Sequence, residues 1–202
     1  MKVLKFGGTS VGKPERMHAV AQLITADDEP KIVVLSALSG TTNALVEINQ
    51  SLAESKKEQA KQQIDKLEKH YRAFCEELLK QDDSRAKAKA IVDEHFEFLN
   101  IILKISFNEA LNKDILAQGE LLSTKLFCVY VAESGIDAVL LPALDFMSID
   151  EFEDPEIPKI KIKLSNLIEK HKGQKVFVTQ GYICRNAKGE VDNLKRGGSD
   201  YS

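Results

Sequence analysis

Cysteine is scarce: Cys75, Cys128 and Cys184 are the only three in 202 residues. The number is odd, no CxxC pair occurs and no histidine stands beside them, which argues against a disulfide framework and against a zinc site. They read as reduced, partly buried thiols, and no bound metal is expected. An excess of charge is lacking as well. The net charge is −3, with Lys and Arg interspersed among Asp and Glu, so no face is built to neutralise a phosphate backbone and nucleic acid is not an expected partner. Long apolar runs are missing too. Met1 to Gly7 is too short for a signal peptide, and no stretch reads as long enough to span a membrane. The expectation is a soluble, cytoplasmic chain with no membrane partner. Glycine and proline are absent from Thr41 to Gln118. The residues that most reliably interrupt helices are therefore missing there, which predicts an almost wholly helical stretch.

What is present is ordinary globular composition, 43% hydrophobic and 29% charged, enough for one α/β domain with a sizeable core. Val3 to Phe6 and Lys31 to Leu35 read as strands buried on both faces. Between them, Pro14 suits a first helical turn, and Met17, Val20, Ala21 and Ile24 follow at helical spacing. Such a strand–helix–strand unit predicts a parallel sheet. Within the helical stretch, Ser55 and Glu58 are spaced as a capping box. Ala60, Ile64, Leu67, Tyr71, Phe74 and Leu78 form a packing seam that faces Ala88, Ile91, Val92, Phe98, Leu99, Ile102 and Ile105 across Asp82–Ser84, which supply turn and N-cap chemistry. This predicts an inserted antiparallel helical hairpin, over about residues 43–117. Further strands are expected at Ala138–Leu141 and Val176–Thr179. A surface loop is expected at Phe146–Pro158, a helix through Ile160, Leu164, Leu167 and Ile168, and a β-hairpin around Asn186–Gly189. The predicted fold class is α/β, a mainly parallel sheet sandwiched by helices.

Four segments carry chemistry. Gly7 to Lys13 fits the GxxxxGK spacing of a Walker A loop, but Pro14 stands where the magnesium-ligating Ser or Thr belongs, which rejects that reading. Lys5, at the carboxyl end of the first strand, is the better candidate cation. Gly7 and Gly8 let backbone N–H groups approach phosphate oxygens, and Thr9 and Ser10 add hydroxyls. Ser36 to Asn43 again follows a strand and precedes a helix, with small polar groups that either cap the helix or hold an anion. Gln118-Gly119-Glu120 places an acid at the start of an apolar helix, where it either complements the helix dipole or receives an ammonium group. Arg196, Gly197, Gly198, Ser199 and Asp200 bring a guanidinium able to grip a carboxylate, two glycines, a hydroxyl and a second acid.

Taken together, KFGGTSV, SALSGTTN, QGELLS and LKRGGSDY resemble the amino acid kinase family, and within it the aspartokinases. The resemblance implies transfer of the γ-phosphoryl of ATP, supplied with Mg2+, to the β-carboxylate of L-aspartate, as the entry step to lysine, threonine and methionine. It implies that Lys5 and Asp200 are catalytic. Lys5 stabilises the transferring group, and Asp200 orients the lysines around it. It further implies that Gly7, Gly8, Ser10, Gly197 and Gly198 hold phosphate and that Ser36 and Thr42 line the aspartate pocket. Glu120 would take the substrate ammonium, Arg196 its α-carboxylate, and Ser199 would add a hydroxyl. Homo-oligomeric assembly is implied for the full-length enzyme. Two departures accompany the match. Lys195 stands where the family usually has glycine, and the family's second, nucleotide-binding half and its ACT domains are not in this sequence. The expectation is therefore the N-terminal portion of a catalytic domain, inactive alone. The alternatives are an aspartate-binding module without catalysis and a kinase for another carboxylate on the same fold.

Overall fold

The computed structural model describes residues 1–105 and 107–194. Lys2–Phe6 (β1), Lys31–Leu35 (β2), Val176–Gln180 (β4) and Ala138–Leu140 (β3) form one parallel sheet in the order β1-β2-β4-β3. Between β1 and β2 lie a single turn of helix, Gly8–Val11 (α1), and Pro14–Ile24 (α2), which has proline in its first turn and buries Met17, Val20, Ala21 and Ile24. β2 and β4 are buried throughout. β1 is not: it is an edge strand, and Val3 is 59% exposed, because only β2 pairs with it. Its apolar composition suggested a strand covered on both faces. Pairing order, which composition does not encode, decides otherwise.

The helical stretch contains the expected hairpin and extends it. Lys57–Leu78 (α4) and Asp82–Ile102 (α5) pack antiparallel, and they are flanked by Thr41–Ala53 (α3) and Glu109–Glu133 (α6). Breaks occur without glycine or proline. Ser55 adopts a left-handed φ of 59° between α3 and α4, so the Ser55–Glu58 capping box does not form, and Lys56 precedes α4 with no side-chain cap. Nor do Asp82–Ser84 cap α5. Instead the Glu133 carboxylate, at the far end of α6, accepts from the Lys80 and Gln81 N–H groups at 2.9 and 3.0 Å. Asn108 caps α6 by accepting from the Leu111 N–H at 3.0 Å.

α6 runs unbroken through Gly119. Its segment Ala110–Glu133 is long and apolar enough, by length and composition, to cross a bilayer, which corrects the expectation that no stretch is. The apolar surface serves the interior here: about half of its most apolar part is buried, and α6 packs on α3, α5 and the sheet.

Alternation along the strands divides the core. Val33, Leu35, Val176 and Val178 face α2 and the four long helices, while Ile32, Val34 and Phe177 face the other side. That second side is covered by Ala143–Phe146 (α7) and by the half-buried stripe of Ile157–Lys170 (α8). The segment expected as a surface loop after Phe146 is buried through Ile149. It is stitched to Ile183–Arg185 (β5), which pairs with Val191–Asn193 (β6) as the expected hairpin.

Gly119 fixes the distance between α6 and the loop after β2. A Cβ built there would lie 2.8 Å from the Ala37 Cβ and 3.4 Å from side-chain atoms of Thr41 and Leu45. Gly119→Ala gains about 1 kcal/mol of helix propensity, but inserting a methyl into this contact costs about 1–3 kcal/mol. We expect a lower urea midpoint at unchanged slope. A higher midpoint would show that the contact is slack.

Candidate functional site

Carboxyl ends of parallel strands open toward ligands because the following loops splay apart there. Here Phe6, Leu35 and Gln180 end β1, β2 and β4 at one edge of the sheet, and beyond them lies an open cavity of about 470 Å³. Gly8 and Thr9 come to it from the first loop, Ser36 to Gly40 with Thr42 and Asn43 from the second, Glu120 from α6, and Tyr182 from the turn after β4. The first two loops interlock. A Cβ on Gly8 would meet the Ala37 carbonyl oxygen at 2.8 Å, and one on Gly12 would meet the Ser39 Cβ at 2.6 Å. Glycine at these positions lets the loops close on each other.

Of the residues expected at the site, Gly8, Ser36, Thr42 and Glu120 line this cavity together. Lys5 is exposed on β1, opposite Val34 in the register and next to the strand's carboxyl end; it does not line the cavity. Gly7 precedes α1 with open space where a side chain would stand, and the half-buried Ser10 donates its N–H to the Gly7 carbonyl at 2.8 Å. Both belong to the same loop but lie outside the cavity wall. Arg196, Gly197, Gly198, Ser199 and Asp200 lie outside the described residues.

Glu120 does not start a helix. It sits within α6, so it is not placed to complement the helix dipole. Its side chain is 3% exposed. Oε1 accepts from the Ala37 N–H at 3.3 Å, and Oε2 has no hydrogen-bond partner among the described residues. Burial pushes its carboxyl up to about 7, because the charged form loses its water.

A layer of hydrogen bonds holds this acid in place. Ser123 Oγ donates to the Ser36 carbonyl at 2.8 Å, and Thr124 Oγ1 to the Glu120 carbonyl at 2.8 Å. Gln180 Nε2 donates to Thr124 Oγ1 at 2.8 Å, while its Oε1 accepts from the Ala143 N–H at 2.7 Å. On the other side the Thr41 and Tyr71 hydroxyls, both buried, lie 3.0 Å apart and tie the first turn of α3 to α4. Tyr71 read as one more apolar seam residue, Ser123 was only the last residue of the QGELLS segment, and Thr124 and Gln180 gave no local signal. Tyr182 did offer one, since it stands two residues past a strand's carboxyl end. Among the described residues, no group of three or more His, Cys, Asp or Glu is placed to hold a metal ion.

Lysine-sensitive aspartokinase 3 of Escherichia coli K12 is 29% identical over 203 residues, covering 99% of this chain and 44% of that protein. The chloroplastic aspartokinase 2 of Arabidopsis thaliana is 32% identical over 215 residues, covering 99% and 38%. The crystal structure of E. coli aspartokinase III in complex with aspartate and ADP superposes with a TM-score of 0.83 at 26% identity, covering 100% of this chain and 45% of that one. The chain thus spans less than half the length of these relatives. The amino acid kinase family model matches residues 1–202. Because that match extends over the whole sequence and not over one motif, the chain belongs to the amino acid kinase family.

Proposed function

We propose that these residues form the aspartate-binding part, and a portion of the phosphate-binding part, of an enzyme that transfers the γ-phosphoryl of ATP to the β-carboxylate of L-aspartate. One observation carries the reading: a buried carboxylate, Glu120, faces a cavity, and its Oε2 has no hydrogen-bond partner among the described residues. An unpaired buried acceptor is expensive, and an arriving ammonium group relieves that cost by supplying donors and charge together. The similarity to an aspartokinase crystallised with aspartate and ADP supports the choice of amino acid and nucleotide.

In this reading Glu120 orients the substrate through its α-ammonium, while Ser36 and Thr42 offer hydroxyls to its carboxylate groups. Lys5, with the loop of Gly7, Gly8 and Ser10, meets the phosphate oxygens. Arg196 grips the α-carboxylate, Ser199 assists, Gly197 and Gly198 approach phosphate, and Asp200 orients the lysines. The nucleophile is a carboxylate, which carries no proton at neutral pH, so no general base is needed. Catalysis is positioning and charge neutralisation. Mg2+ enters with ATP as part of the substrate. Homo-oligomeric assembly of the full-length protein and a cytoplasmic location belong to the same proposal. The first rests on the family resemblance.

Three outcomes are expected. L-Aspartate should bind the 202-residue chain in calorimetry, and Glu120→Gln should weaken it roughly 10- to 100-fold, as removal of a charge-assisted bond does. Binding that Glu120→Gln leaves unchanged would remove the ammonium role.

The same substitution has a stability signature. In the folded chain the Glu120 carboxyl keeps its proton to about pH 7, whereas its ordinary value is 4.5. Between these values the folded state holds the extra proton, so stability falls as pH rises and the loss is complete above about 7. It is on the order of 3 kcal/mol. Glu120→Gln should therefore unfold at higher urea than wild type at pH 8 and lose that advantage at pH 4. For the wild type, aspartate affinity should rise with pH up to about 7 and then level. An affinity that falls with pH would contradict the assignment.

In the full-length protein that carries these residues, Lys5→Ala should abolish formation of hydroxylamine-trapped aspartyl phosphate while leaving the circular dichroism spectrum unchanged. Retained turnover would relocate the phosphoryl-stabilising cation.

A further inference from the structure

Tyr182 adopts a backbone angle that its own side chain resists. Its φ is +67°. The Ile183 N–H donates to the Gly181 carbonyl at 2.8 Å, which closes a γ-turn centred on Tyr182. With positive φ this is the rare and strained hand of that turn, unfavourable for a bulky L-residue and easy for glycine. The turn is pinned on both sides. The Gly181 N–H donates to the Leu35 carbonyl at 2.9 Å, and the Leu194 N–H to the Tyr182 carbonyl at 2.7 Å. All three bonds are backbone bonds that glycine at 182 would make without strain. The backbone therefore gives no reason for tyrosine, and the side chain must supply one.

The side chain stands at the carboxyl end of β4, half-buried, in the wall of the cavity that holds Glu120. Burial and then the Glu120 carboxylate raise the phenol above its ordinary range, so the ring faces the cavity un-ionised at neutral pH. Among the described residues two others, Ser55 and Glu153, have positive φ without being glycine, and neither lines this cavity.

We propose that Tyr182 is a substrate-contact residue that sets the cavity's affinity for the α-ammonium of an amino acid. Its ring closes the cavity beside Glu120, presents an aromatic face to the cation and keeps water from the carboxylate. The inference rests on the aspartate reading above and adds the residue that completes the ammonium pocket.

Strain and contact can be separated with Tyr182→Gly, which removes both, and Tyr182→Phe, which keeps the ring. Calorimetry with L-aspartate and thermal unfolding are read on the same preparations. For Tyr182→Gly we expect the dissociation constant to rise about tenfold while the unfolding midpoint stays level or rises. For Tyr182→Phe we expect affinity within about threefold of wild type, because the ring face and not the hydroxyl makes the contact. A tyrosine kept only for packing would give the opposite pattern, a lower midpoint with unchanged affinity, and that result overturns the inference. If midpoint and affinity both fall, Tyr182→Leu decides: lost affinity with bulk retained supports an aromatic contact, and retained affinity refutes it. A wild-type chain that binds no aspartate overturns instead the reading on which this rests, and the ammonium pocket with it.

Discussion

The close approach of α6 to the loop after β2 is the constraint on which the site depends. With no side chain at Gly119, the helix comes close enough that an added Cβ would lie 2.8 Å from that of Ala37. One residue further on, Glu120 reaches the Ala37 N–H, and Ser123 ties the same helix to the Ser36 carbonyl. Gly8 and Gly12 repeat the device between the first loop and the second. Three elements distant in sequence are therefore locked at backbone distance, and the cavity is the space left where they stop touching.

Stability is spent inside that cavity. An interior carboxylate with one unsatisfied oxygen and a tyrosine in a left-handed turn both work against folding. They are tolerated because the surrounding structure is over-determined. The buried ladders of β2 and β4, the four-helix layer on one face and the Ser123–Thr124–Gln180 hydrogen bonds leave these groups no room to relax. Local rules broken in one place and satisfied everywhere around it are the pattern expected of a binding site. The same stiffness explains why Tyr71, on a different helix, bears on the site at all. Its hydroxyl meets that of Thr41 at the start of α3, beside Thr42 and Gly40 in the cavity wall.

Much of the fold was legible from short-range pattern. Alternation and apolar runs located the strands, helical periodicity located α2 and the α4–α5 seam, and Asn186–Gly189 marked the hairpin. Misreadings arose where a distant residue substituted for a local one. Glu133, at the end of α6, fixes Lys80 and Gln81 ahead of α5, where Asp82–Ser84 were expected to set the helix start. Ser55 turns the chain where no glycine is present. Gly119, expected just ahead of a new apolar helix, lies inside a continuous one because its missing side chain is needed for packing and not for a turn. Strand β1 looked buried because sequence shows hydrophobicity but not the number of neighbours a strand will have.

By itself, then, the sequence determined the parallel α/β class and the residue types at the strand ends, because these follow from spacing and local conformational preference, and its motifs carried the resemblance to the family. Only the tertiary structure decided which of those residues share a cavity. It set Glu120 mid-helix and unsatisfied, brought Tyr182 to its side, and kept Lys5 on the exposed edge strand. Burial and electrostatic environment are properties of what surrounds a group. The groups around Glu120 come from positions as far apart as Ala37 and Tyr182, a proximity that no local pattern in the chain encodes.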